Sequence, residues 1–200
     1  MAESQHTFAL PAGIPATNQD FEKRILDRLQ HDLAELVRTL WQLFLFYENI
    51  SRNDLSAGVI NVLMQYCEGP ERQAYCYLIL GQLAEKDRQY TAALDQYARG
   101  LELKPSDQRT LYFLYNNMGY CLNLLERYQE GERYCRSAIE IDAWLANAYK
   151  NLGVSLAGQK NMTEAFCAHI DALRRHYDPN PLEDPYQRFP HAPQQPLRKR

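Results

Sequence analysis

An all-α chain, built from three helical hairpins stacked in register and preceded by a long helix and a shorter one, is the fold this sequence predicts. The main observation is a phrase, Tyr-x-x-Leu/Met-Gly, that occurs three times, ending at Gly81, Gly119 and Gly153, so that the glycines stand 38 and then 34 residues apart. A second is that small residues recur in step with it. Ala93, Gly131 and Ala165 each lie 12 residues past a glycine, and Gly100, Ala138 and Ala172 follow seven later. Self-similarity at this period marks a solenoid of helical hairpins. Small residues are required where two helix axes approach closely, and the tyrosines and leucines fill the spaces beside them. A third is that six of the ten prolines fall within the last 22 residues, which leaves the middle of the chain free to run as helices.

Residues 1–17 hold Pro11 and Pro15 among small and polar residues and read as a loose arm. From about Asn18 to Asn49 the pattern is helical and unusually long. Leu26, Leu29, Leu33, Leu36, Leu40, Leu43 and Tyr47 recur at alternating spacings of three and four, an a/d seam over three heptads. Val37, Trp41, Phe44 and Leu45 widen the stripe toward its end, so this helix has to be covered on more than one side. Ser51 to Asp54 breaks it, and a second helix follows over about Leu55 to Cys67, closed by Gly69-Pro70. Two readings of residues 18–70 stand open: a segment that caps the hairpin stack, and a seam that joins two copies of the chain.

Six further helices are predicted over about 71–86, 90–103, 107–125, 128–141, 144–158 and 161–176, with Ser106 or Asp107 as the cap after Pro105. Beyond Tyr177 the segment 178–200 is too proline-dense for a regular helix and reads as an extended tail ending in Arg198-Lys199-Arg200. Solenoids need a terminal cap, and no helix is available after the third hairpin. Tyr177, Leu182, Tyr186 and Phe189, or a second subunit, are the candidate covers.

The repeats resemble the tetratricopeptide repeat (TPR) family. The first, 74–107, carries Tyr77, Leu80, Gly81, Ala84, Tyr90, Ala93, Tyr97, Gly100 and Pro105; the second spans 112–145 and the third 146–180. Cys135 and His169 stand where an aromatic is usual, and Ala143 where Pro is usual. The resemblance covers about half the chain and implies a right-handed superhelix whose first helices line a concave groove. By position, it puts Tyr75, Leu78, Ile79 and Gln82 of the first repeat on that groove. Phe113, Asn116, Asn117 and Tyr120 follow from the second repeat, and Asn147, Lys150, Asn151 and Val154 from the third. Asn117 and Asn151 occupy the same position in successive repeats, similar to the asparagine ladder of the TPR domain of the protein-glycosylating N-acetylglucosamine transferase. A side-chain amide offers an acceptor and two donors, suited to the backbone of an extended peptide.

The same positions speak against the TPR clamp for chaperone C-termini, since Leu78, Gln82, Asn147 and Asn151 replace its cationic and amide residues and only Asn117 matches. The layout is also similar to bacterial type III secretion chaperones, by analogy of architecture alone. What the resemblance implies is a non-catalytic interaction module: a scaffold or chaperone-like adaptor that takes a protein or peptide partner in its groove. The alternative is a self-assembling protein that uses the Leu seam, as a homodimer, and the uncapped end.

Composition agrees with one globular domain and tails: 200 residues, 46% hydrophobic, net charge −3. That charge indicates no general attraction to nucleic acid. Five cysteines without a C-x-x-C pair, four of them on helices at inward-looking positions, read as buried reduced thiols. There is no Lys or Arg before Lys23, and the stretch from Leu40 to Tyr47 is too short to span a bilayer, so the expected location is the cytoplasm. No phosphate loop, zinc-protease or nucleophile-elbow motif is present, the histidines are scattered, and no cofactor, metal or catalytic residue is expected.

Overall fold

The computed structural model describes residues 33–177, in which eight helices and no strands occur. They divide between two compact units, Met1–Cys67 and Glu68–Arg200.

In the first unit α1 (Leu33–Asn49) packs against α2 (Asn53–Gln65). Leu36, Leu40, Phe44 and Tyr47 are buried on α1, at spacings of four, four and three, and Leu55, Val59, Ile60 and Leu63 are buried on α2. Trp41 meets Phe44 edge-on at 5.6 Å between ring centres. Arg52 grips Asp54 with two parallel bonds of 2.9 and 2.8 Å across the turn. The guanidinium holds the Asp54 carboxyl down at about 2. Of the predicted seam, Leu26 and Leu29 lie outside the described residues, as does the Leu33 side chain. Leu36, Leu40 and Tyr47 are buried within one chain, and Leu43 is half-buried.

The second unit is three hairpins: α3 (Pro70–Lys86) with α4 (Tyr90–Glu102), α5 (Gln108–Leu124) with α6 (Tyr128–Ile141), and α7 (Ala146–Gly158) with α8 (Met162–Tyr177). These bounds lie within about two residues of those read from the sequence. Gly69, at φ 86°, takes a conformation that only glycine adopts freely, and Pro70 then starts α3 with its φ preset. Asp107 caps α5 by accepting from the Thr110 amide at 2.9 Å. Ser106 is used elsewhere: its amide and hydroxyl both donate to Glu71 Oε1 at 2.6 Å, which joins the start of the first hairpin to the start of the second.

The repeated glycines are explained by what lies over them. A Cβ on Gly81 would fall 2.2 Å from the Tyr97 ring, one on Gly119 2.5 Å from Cys135 Sγ, and one on Gly153 2.3 Å from the His169 ring. Each partner is the residue 16 positions later, on the second helix of the same hairpin. The substitutions of Cys135 and His169 for an aromatic therefore change the filler and keep the close approach. His169 completes its packing with one bond from Nδ1 to the Ala165 carbonyl at 2.8 Å; a carbonyl only accepts, so Nδ1 carries the hydrogen.

The core runs along the unit as linked clusters. Leu78, Ala93, Leu94, Tyr97, Leu114, Met118, Cys121 and Leu122 join the first hairpin to α5. Tyr112, Ala138 and Ala148, then Cys135, Leu152, Leu156, Ala165 and Ala168, continue it to α8. Of the five cysteines, Cys76, Cys121 and Cys135 are buried and Cys67 is half-buried. Cys167 departs from the expectation: it is exposed, on the wall of a cleft lined by α6, α7 and α8.

Candidate functional site: the inner row of helices

Contacts between hairpins are unequal. The first helices pack in series, α3 on α5 and α5 on α7, whereas the backbones of α4, α6 and α8 stand apart, with α6 and α8 bridged by the Arg136–Glu164 ion pair at 3.7 Å. Helices in mutual contact occupy the shorter arc of a curved stack, so α3, α5 and α7 form the inner face.

A chain of polar side chains crosses that row. Asn151 on α7 donates through Nδ2 to Asn116 Oδ1 on α5 at 3.0 Å, and Asn116 Nδ2 donates to Asn117 Oδ1 at 3.0 Å. Asn117 Nδ2 then donates to the Tyr97 hydroxyl at 3.4 Å, which donates to Glu85 Oε1 at 2.7 Å. The Cys121 thiol reaches the same oxygen at 3.3 Å. Every donor points the same way, toward the carboxylate, an arrangement in which each bond polarises the next. Burial pushes the Glu85 carboxyl above its ordinary range against the opposing pull of the Tyr97 and Cys121 donors. Burial, then the Glu85 charge, raises the Tyr97 phenol and the Cys121 thiol, so both stay protonated and remain donors. A second link binds α5 to α7. Asn123 Nδ2 donates to the Asn151 carbonyl at 2.8 Å, and Ser155 Oγ donates to Asn123 Oδ1 at 2.7 Å. Burial pushes the neighbouring Cys135 thiol up to about 12.

The residues assigned to the groove divide into three sets. Leu78 and Ile79 are buried, and Leu78 is a member of the core cluster. Asn116 is buried inside the relay, and Gln82, Phe113, Asn117 and Asn151 are half-buried. Tyr75, Tyr120, Asn147, Lys150 and Val154 are exposed, Tyr75 and Tyr120 at 40% and Val154 at 42%. Burial raises the Tyr120 phenol, with Tyr90 and Glu85 nearby, so its hydroxyl stays neutral. Asn151 uses one of its two donors on Asn116, and its Oδ1 remains as an acceptor. The inner face thus presents half-used amides flanked by exposed aromatic and aliphatic surface and one cation, Lys150.

Sequence reasoning did not assign Glu85, Tyr97, Cys121, Asn123 or Ser155 to this network. The available signal was Asn116 and Asn123, two amides seven residues apart on a helix and therefore on one face. On the opposite side of the unit, Arg136, Ile139 and Glu140 of α6, Tyr149, Leu152 and Leu156 of α7, and Glu164, Cys167, Ala168 and Asp171 of α8 line a cleft of about 380 Å³. Among the described residues no group of three His, Cys, Asp or Glu side chains is placed to hold a metal ion, and no helix is long and apolar enough to cross a membrane.

No protein-family model and no curated protein matches the sequence. Solved structures do resemble the fold. A crystal structure of MamA is 20% identical, with a TM-score of 0.62, over 81% of this chain and 92% of that one. BtubC (BKLC) from P. vanneervenii is 14% identical, with a TM-score of 0.67, over 92% and 79%. MamA 41-end from Desulfovibrio magneticus RS-1 is 16% identical, with a TM-score of 0.58, over 82% and 96%. At these identities the likeness establishes the fold: an all-helical, TPR-like repeat superhelix.

Proposed function

We propose that this TPR-like superhelix is a non-catalytic interaction module, a scaffold or chaperone-like adaptor that holds an extended segment of a partner protein on the inner face of α3, α5 and α7. The observation that carries the reading is the state of the inner amides. Asn116 is buried with both its nitrogen and its oxygen bonded, so it positions its neighbours, while Asn117 and Asn151 are half-buried and each keep a donor that no other side chain takes up. An extended backbone offers carbonyls and amides at regular intervals and is the natural complement of such a row. Tyr120 and Val154 supply apolar contact, and Lys150 favours a carbonyl-rich or acidic stretch.

The test is selection of a binding peptide from a random displayed library by the purified chain, followed by affinity measurement on two sets of variants. Asn117→Ala with Asn151→Ala removes the amides. Tyr120→Ser with Lys150→Glu alters the surface and leaves the relay whole. Each pair is expected to weaken binding by about tenfold, roughly 1.4 kcal/mol, with helicity unchanged. A peptide held with wild-type affinity by both pairs would remove the inner face as the site. Self-assembly through the leucine seam is the alternative. The described part of that seam is filled within one chain, so a homodimer would draw on other surface, such as the exposed Leu45 and Ile50.

A further inference from the structure

Register positions on the second helices reveal a docking face that is filled twice and open once. In the first hairpin, Tyr90, Leu94 and Leu101 pack against Leu114, Met118, Cys121 and Leu122 of the next first helix, α5. In the second hairpin the same positions are Tyr128, Glu132 and Ile139. The Tyr128 ring lies over Gly158, Glu132 accepts from Gln159 Nε2 at 2.8 Å, and Ile139 packs on Leu152 and Leu156 of α7. In the third hairpin the positions are Met162, Phe166 and Leu173. They are 66%, 67% and 51% exposed, and no helix follows Tyr177 among the described residues. Three large apolar side chains on one stripe of a helix form a face built to be covered.

We propose that this face is covered by the chain's own segment 182–189, folded back antiparallel along α8 in extended form. Four observations select this occupant. The segment begins five residues past the end of α8, so its effective concentration at the face is in the millimolar range. Asp178-Pro179-Asn180-Pro181 is turn-forming and suited to reversing the chain. The spacings agree: Leu173 and Phe166 are seven residues apart, about 10 Å along a helix, and Leu182 and Tyr186 are four apart, about 12 Å in polyproline II form. Phe189, three residues and about 9 Å further on, passes Met162, which lies about 6 Å beyond Phe166. Finally, the acidic pair Glu183-Asp184 enters beside the exposed Arg174. Proline at 179, 181, 185 and 190 keeps the segment from supplying a helix, so the cover is an extended strap in the place of the next repeat's first helix.

Replacing Tyr186 with the photoreactive benzoylphenylalanine in the full chain tests this directly. Illumination is expected to give an adduct within one molecule, mapped by mass spectrometry to residues 162–173, at a yield independent of protein concentration. Phe166→Ser with Leu173→Ser should abolish that adduct while circular dichroism shows the helices retained. Adducts between two molecules would assign the face to a second copy and overturn the proposal. Adducts on Tyr120, Asn151 or their neighbours would place the segment on the inner face and overturn it equally, as would the absence of any adduct.

Discussion

Glu85 is a carboxylate held at the end of a one-way row of donors, and its protonation carries a cost that can be measured. Its folded pKa stands above its unfolded one because burial outweighs the Tyr97 and Cys121 bonds. The native state therefore binds this proton more tightly than the unfolded chain does. Its contribution is most favourable at low pH and declines as pH rises through the usual glutamate range to the raised value. Glu71 acts in the opposite sense: the Ser106 hydroxyl and amide lower its pKa, so its contribution is lost as pH falls. Glu85→Gln keeps an acceptor for Tyr97 and removes the titration. It should match or exceed the parent's stability at neutral pH and flatten the decline, whereas Glu85→Ala orphans the Tyr97 hydroxyl and should cost about 1–3 kcal/mol. Urea denaturation of both variants at mildly acidic and neutral pH reads the difference; a Gln variant weaker than the Ala variant would refute the assignment. Gly81→Ala forces a methyl into the buried Tyr97 ring and should cost about 1–3 kcal/mol in the same assay. At this scale the sequence was informative about registers and silent about saturation. Asn117 and Asn151 could be found by counting, but that Asn116 is buried between them depends on the separation of α5 and α7, which no local pattern encodes.

Each first helix of the repeat unit ends the same way. Arg88, Glu126 and Lys160 stand in corresponding positions with φ of 59°, 59° and 65°. Just past them, the amides of Gln89, Arg127 and Asn161 bond back to the carbonyls of Ala84, Leu122 and Leu156 at 2.8 to 2.9 Å. This is the Schellman closure, normally built on glycine, here held by three side-chain-bearing residues in a left-handed conformation. Changing any one to glycine relieves the strain at some entropic cost and should stabilise the chain by about 0.5–1 kcal/mol. Thermal and urea unfolding would check this, and a loss of stability at two or more sites would contradict it. The helices themselves were legible almost to the residue, because small residues recur in step and Pro105 closes the first repeat. Their closures were not, because the usual glycine signal is absent where the backbone turns. Cys167 was misread for a related reason. Helical periodicity gives the angle of a residue around its axis, and the side on which the preceding hairpin leaves a cleft is decided by packing.

At the level of whole units, the leucine stripe of α1 shows how periodicity can be right while the partner stays undetermined. An a/d repeat specifies a surface to be buried, and Leu36, Leu40 and Tyr47 are buried, together with Phe44, which lies off the strict seam. Leu40→Glu should therefore unfold α1 and α2, at a cost of several kcal/mol for a charge without a partner. Loss of helicity by circular dichroism is the expected result; a fully helical, soluble variant whose only change is in oligomeric state would restore the seam as an interface between copies.

The unequal contacts between hairpins have a mechanical consequence for the repeat unit. With the inner helices bonded in series and the outer ones apart, bending leaves the inner row at constant length and opens or closes the outer gaps, where few contacts are lost. The unit is a leaf spring with its stiff leaf on the inner face. Tension along the inner row is borne by the bonds that tie α5 to α7, among them Asn151–Asn116, Asn123–Asn151 and Ser155–Asn123.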